Sequence, residues 1–132
     1  MEFPSIDFVH ALRDTLNGSA AFNAASQWSD VKVLLCFGEK QYWLKLYGGK
    51  VIDVMEYFPM ANPLGWDYQI RAPLEIWHHL GNGSRAQGHL LDSGAITVDG
   101  NLMQANRLYE STHLMMQTIK QLLGPVVEEA AQ

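Results

Sequence analysis

Residues 31–58, VKVLLCFGEKQYWLKLYGGKVIDVMEYF, hold three strand-like runs separated by two glycine-bearing turns. Val31–Phe37 and Gln41–Tyr47 are rich in leucine, valine and aromatic side chains, and each is too short between its turn signals to read as a helix. Gly38-Glu39 and Gly48-Gly49 supply tight turns, since glycine reaches left-handed backbone without steric cost. Lys50–Phe58 reads as the third run. Strict alternation puts Val33, Leu35 and Phe37 on one face, with Tyr42, Leu44 and Leu46 on the same side. Lys32, Lys45, Asp53 and Glu56 mark a more solvated side. The stretch is therefore a three-stranded antiparallel meander with one face built for burial.

On either side of the meander the period changes to that of helices. Upstream, Pro4 and Ser5 precede Ile6, Phe8, Val9, Leu12 and Leu16 at helical spacing, and Asn17-Gly18 closes that segment. Ala20–Ala25 suggests a second short helix ending near Trp28. Downstream, Asp67–Arg71 is a short strand and Pro73 opens a helix at a position where its missing N–H costs nothing. Leu74, Ile76, Trp77 and Leu80 are the apolar positions of that helix, and Gly81-Asn82-Gly83 ends it. Ala95–Val98 is a last strand. Asn101 is placed to cap a long final helix carrying Leu102, Ala105, Leu108, Tyr109, Met115, Met116, Ile119 and Leu122, with Gly124-Pro125 as its stop and a frayed tail over 125–132. The order α-α-β-β-β-β-α-β-α predicts one α+β domain over residues 1–132, with helices on one face of a mostly antiparallel sheet.

Composition excludes several functions. Hydrophobic residues make up 48% of the 132 residues and the net charge is −5, so the chain can bury a core but lacks the clustered cations of a nucleic-acid binder. The single cysteine, Cys36, allows no internal disulfide and fits a reducing, cytoplasmic setting. The start, Met1-Glu2-Phe3-Pro4, does not read as a secretory signal, and no apolar run reaches the length of a membrane span. Asn17-Gly18-Ser19 and Asn82-Gly83-Ser84 match the glycosylation pattern but read as turns.

Three groups of residues, taken in order, resemble the sterol carrier protein 2 (SCP2) lipid-binding domain. Trp43-Leu44 followed by Gly49-x-Val51 is similar to that family's second and third strands. Asp67-x-x-Ile70, Pro73, Trp77, Leu80 and Gly83 are similar to its fourth strand and following helix. Gly94-x-Ile96-x-Val98-x-Gly100-Asn101 is similar to its closing strand and the turn into the last helix. The agreement spans residues 5–122. The resemblance implies a five-stranded sheet with helices on one face and, between them, an apolar cavity holding fatty acyl chains, sterols or similar lipids. The chain departs from the family pattern at Tyr57–Trp66, which is longer and rich in aromatics and proline, and at Arg85–Ser93.

A lipid site needs apolar walls, a few polar groups and a way in. The candidate ligand-contacting residues are Phe58, Met60, Trp66, Tyr68, Trp77, Met103, Met115, Met116 and Ile119. The methionines suit a permissive pocket because thioethers repack around varied shapes, although such a stripe also packs an ordinary core. Phe58, Met60 and Leu64 are apolar residues in a surface loop, where they would cover a ligand or a partner. Trp77 reads as core packing, and Trp66, after a proline-rich loop, equally as core or as part of a pocket mouth.

No complete catalytic set is present and no cofactor is implied. Gly81-x-Gly83-x-x-Ala86 follows a helix, so it lacks the strand-to-helix geometry of a dinucleotide loop. Glu75, His78 and His79 share a helix, with His89 and Asp92 downstream, but a single helical pair falls short of a metal site. Cys36 in a strand reads as a packed thiol, and Arg71 and Arg85 as surface ion pairs or as partners for a ligand's anion. Three readings follow: a carrier of a hydrophobic small molecule, a small enzyme using Asp53, Glu56, Asp67, Tyr68 or His78 for proton transfer in the same cavity, and an accessory or dimerisation domain for a partner enzyme.

Overall fold

The computed structural model describes residues 2–60 and 65–131, with 127–131 as backbone only. Helices α1 (Ile6–Asn17) and α2 (Ala20–Ala25) lead into strands β1 (Asp30–Phe37), β2 (Lys40–Tyr47) and β3 (Lys50–Glu56). Then come β4 (Tyr68–Ala72), α3 (Leu74–Asn82), α4 (Gln87–Asp92), β5 (Thr97–Gly100), α5 (Leu102–Arg107) and α6 (Tyr109–Ala131). The strands form one five-stranded sheet in the order β3-β2-β1-β4-β5. Only β1 and β4 run parallel; the other three pairings are antiparallel. The expected α+β class and mostly antiparallel sheet are what the structure has.

Register explains which face is buried. Val33 lies opposite both Leu44 and Tyr68, and Leu35 opposite both Tyr42 and Ile70. These side chains, with Val98 of β5, point into one core under α1, α3 and α6. A bulge where the register shifts at Lys45/Leu46 leaves Ile52 and Asp53 both exposed while Val51 and Val54 both face inward. The extra residue reconciles a three-residue spacing with an alternating strand.

Helix ends follow local chemistry. The Ser5, Ser19 and Asn101 side chains each accept a backbone N–H from the first turn of α1, α2 and α5, satisfying donors that a helix start leaves unpaired. Gly83 ends α3 in left-handed backbone with φ 75°. In the core, Phe3, Phe8, Phe37 and Trp77 pack edge-on or tilted, and the Trp77 Nε1–H donates to the carbonyls of Cys36 and Ala72. Trp77 thus closes the end where β1 and β4 stop.

Five expectations are corrected. The single last helix is two: Asn101 caps α5, which breaks at Leu108 before α6 begins. Gly124-Pro125 does not stop α6, which continues to Ala131; proline forfeits one backbone bond there, and Leu122 and Leu123, packed on the core just before it, carry the helix in. Arg85–Ser93 contains α4, whose Leu90 is buried. The last strand is Thr97–Gly100 rather than 95–98. The third strand ends at Glu56, two residues earlier than its periodicity suggested.

The helix-free face of the sheet is not uniformly solvated. Leu34, Cys36 and Trp43 are buried on it, with Met55 and Tyr57 packed against them. Tyr57, just beyond β3, lies on this face, and the Trp43 indole donates to the carbonyl of Gly65 at 2.9 Å. Asp67 joins three segments: its carboxylate accepts the Lys32 N–H at 2.7 Å, its own N–H donates to the Lys32 carbonyl, and its carbonyl accepts the Asn101 N–H.

Candidate functional site

The residues singled out for ligand contact do not fall together. Trp77, Met115, Met116 and Ile119 are fully enclosed in the main core. Phe58, Met60 and Met103 are exposed, Met60 and Met103 almost completely. Trp66 packs against Gly100, at which an added Cβ would meet the indole at 2.8 Å. Leu64 lies outside the described residues. Tyr68 is buried at the junction of sheet and α6, its hydroxyl 3.5 Å from the Thr112 hydroxyl; burial raises its pKa, against a smaller opposing effect of the Thr112 contact.

Thr112 lines a cleft that spacing did not single out. Beside the edge strand β5, on the helix side of the sheet, α4, α5 and the start of α6 stand apart around a cavity of about 320 Å³. Leu91, Ile96, Val98, Leu102 and Ala105 form apolar walls; Asp92, Asn106, Tyr109, Thr112 and His113 supply the polar groups. Two local features keep it open. Four-residue β5 covers little of the helix layer, and the break at Leu108 turns α5 away from the line of α6. The far wall is tied by Gln87, at the first position of α4, whose Nε2 lies 3.0 Å from the His113 carbonyl and 3.2 Å from His113 Nδ1. Tyr109 stacks on the same imidazole.

A larger groove, about 680 Å³, lies on the helix-free face. Register makes it: Cys36 stands opposite Gln41 on one side and Arg71 on the other, and Arg71 stands opposite Thr97. The short thiol between longer side chains leaves the depression. Gln41, Gln69, Arg71 and Thr97 supply its polar groups and Cys36, Ala72, Pro73, Ile76 and Ala95 its apolar ones, and it is open to solvent. Burial pushes the Cys36 thiol up to about 11, the Arg71 charge opposing weakly, so this sulfur is a neutral wall rather than a nucleophile. Arg71 faces Asp99 at 3.8 Å, both half-exposed. A third, shallow groove of about 370 Å³ runs past Glu56, Tyr57 and Phe58.

The acid–base candidates do not converge on the cleft. Asp53, Glu56 and His78 are exposed, Asp67 is occupied by the Lys32 N–H, and Tyr68 touches the cleft only through Thr112. His79 meets Glu75 at 3.9 Å on α3, and among the described residues no cluster of His, Cys, Asp and Glu could hold a metal. Among the same residues no helix is long and apolar enough to cross a membrane.

No family model and no curated protein matches the chain. Solved structures do. A crystal structure of sterol carrier protein 2 aligns with TM-score 0.73 at 16% identity, over 90% of this chain and 98% of its own. A conserved hypothetical protein from Thermus thermophilus, described as possibly a sterol carrier protein, aligns with TM-score 0.70 at 17% identity, over 92% and 90% of the two chains. A ubiquinone synthesis protein, UbiJ-SCP2, aligns with TM-score 0.55 at 17% identity, over 86% and 99%. The chain has the SCP2 fold.

Proposed function

We propose that this SCP2-fold protein binds a hydrophobic small molecule, of the lipid, fatty acyl or sterol-like class, and carries it in the cleft between β5, α4, α5 and α6. The observation that carries the reading is the cleft itself: apolar on several sides, on the helix face of the sheet, and of a volume within the usual range of about 300–1,000 Å³ for small-molecule sites. The larger groove on the opposite face is the poorer candidate for a lipid, because amides and a guanidinium line it and would lose hydration against an acyl chain. Of the nine residues marked in the sequence, Tyr68 lies behind Thr112 at the cleft, while Met115, Met116 and Ile119 form the packed floor of the core and would meet a ligand only if α6 repacked.

Mass spectrometry of organic extracts from the purified protein tests this reading. A stoichiometric apolar compound is the expected result. An empty extract, together with no uptake of added acyl esters, fatty acids or sterols, would overturn it.

A second reading has a specific observation behind it. Leu102 and Tyr109, which line the cleft, are exposed, as is Met103 next to Leu102 in the chain, and Trp28, 79% exposed, meets α5 through its carbonyl, which accepts from Arg107. Exposed apolar side chains on and beside α5 suit docking on a partner that receives or modifies the ligand, either a partner enzyme or a second copy. This accessory role accords with a fold neighbour described as a ubiquinone synthesis protein. Light scattering across a dilution series checks the homodimer version, for which a concentration-dependent mass is expected.

A further inference from the structure

Gln87 settles how the His113 ring presents itself to the cleft. The His113 backbone carbonyl can only accept a hydrogen bond, so the carboxamide group 3.0 Å from it must be the NH2 end of Gln87. The same nitrogen lies 3.2 Å from His113 Nδ1. Its two hydrogens therefore serve both acceptors, and Nδ1 offers a lone pair. A proton on Nδ1 would set donor against donor. The neutral ring then carries its proton on Nε2. Tyr109 lies nearly parallel to the ring, 6.3 Å between centroids and 21° between planes. With Nδ1 turned to Gln87, Nε2–H is the ring's free donor, and His113 lines both the cleft and the open depression beside Tyr109 and Glu110.

The rest of the lining narrows what that donor would meet. The cleft carries one carboxylate, Asp92, and no lysine or arginine among its lining residues. Arg107, on α5, is engaged with Gln104 and with the Trp28 carbonyl. A ligand carboxylate or phosphate would lie near Asp92 with no cation in the lining to pair with it. An uncharged acceptor has no such cost and receives one well-oriented hydrogen bond.

Taking the carrier reading as its basis, we infer that His113 is the head-group anchor of the cleft, donating from Nε2 to the carbonyl oxygen of a neutral ester, ketone or aldehyde lipid, and that the site selects such lipids over fatty-acid anions. Gln87 is a positioning residue that holds the tautomer.

The test measures displacement of a neutral naphthylamine dye by methyl decanoate, decanoate and decane. The wild-type protein should bind the ester roughly tenfold more tightly than either of the others, the increment of one good hydrogen bond. His113→Phe, which keeps the ring and its stack, should bring the ester down to the level of decane without changing decane binding. Gln87→Leu should weaken ester binding in the same direction while leaving the ring in place. Nitrogen-detected imidazole spectra of the ligand-free protein should show His113 as the Nε2–H tautomer. Equal binding of ester and decane, preference for decanoate, an unaffected His113→Phe variant or an Nδ1–H tautomer each overturns the anchor while leaving the carrier reading intact. Failure of the dye and all three ligands to bind overturns the carrier reading itself, and the anchor with it.

Discussion

Cys36 shows how one side chain's surroundings decide its chemistry. It is 4% exposed, and burial raises its pKa from 9.0 to about 11. The folded state therefore keeps the proton over a range in which the unfolded chain has lost it. By linkage, the stabilisation is complete below about pH 9 and disappears as pH rises toward about 11. Urea melts at about pH 8 and about pH 10.5 should show a loss of stability that is smaller in Cys36→Ala, the difference between the two proteins isolating this group from the lysines and tyrosines. In native buffer near pH 8 the thiol should resist alkylation for hours, and react quickly once urea unfolds the chain. An alkaline loss equal in the two proteins would show that the site does not hold the thiol neutral. That inertness was legible in the sequence, because Cys36 stands among strand residues. The Gln87–His113 pairing was not, because the two residues are far apart in sequence and no spacing rule links a helix start to a carbonyl in another helix.

At the scale of elements, the β2–β3 turn gives the sharpest test. Gly48 and Gly49 both have positive φ, 60° and 92°. They differ in what surrounds them. A Cβ on Gly48 meets nothing within 4 Å, whereas one on Gly49 would stand 2.6 Å from the Asn23 carbonyl oxygen, and the Asn23 side chain donates to the Gly49 carbonyl at 2.7 Å. Gly48→Ala should cost about 1 kcal/mol of backbone strain; Gly49→Ala should cost about 2–3 kcal/mol, because α2 must also move away from the turn. Denaturant midpoints compare them, and equal losses would mean that the α2 contact adds nothing. At α5, Asn101→Ala removes the only side-chain cap and should cost about 1 kcal/mol, read as faster amide exchange through Leu102–Arg107 with α6 unaffected. These elements also show what a single chain reveals. The meander was readable because three neighbouring runs bury one face and turn on glycine. The parallel β1–β4 pairing joins strands about thirty residues apart, and local pattern carries no trace of it. The helix-free face looked solvated because Lys32 and Lys45 flank it; Leu34 and Trp43 are buried there with Tyr57 packed against them and Gly65 bonded to the Trp43 indole, contacts that alternation within a strand does not show. The long final helix was expected as one piece because its apolar period runs straight through Leu108, and only the packing of α5 beside β5 breaks it.

For the molecule as a whole, the arrangement of layers decides where a ligand can enter. The sheet centre is filled from the helix side by Phe8, Phe37, Tyr42 and Trp77, all essentially inaccessible, so an acyl chain placed there would have to displace aromatic rings. The β5 edge is different. Its short strand, the separate α4 and the break at Leu108 leave unfilled volume beside Ile96 and Ala105. Sequence pattern marked large and polarisable residues as ligand contacts, and most of those turned out to fill the core or face solvent, because size favours burial against the sheet. The small residue at the cleft, Ala105, carried no such signal. It is 6% exposed on the inward face of α5, and exchanging it for tryptophan would place a ring in the cleft without removing any core contact. If the cleft holds the ligand, Ala105→Trp should purify without the compound that wild type carries and should take up acyl esters at least tenfold more weakly, while its thermal midpoint shifts by only a few degrees. Arg71→Ala in the opposite groove should leave uptake unchanged. Retention of ligand by Ala105→Trp together with loss in Arg71→Ala would move the site to the other face of the sheet, and loss in neither would leave the packed core itself, opened by a movement of α6, as the place where the ligand lies.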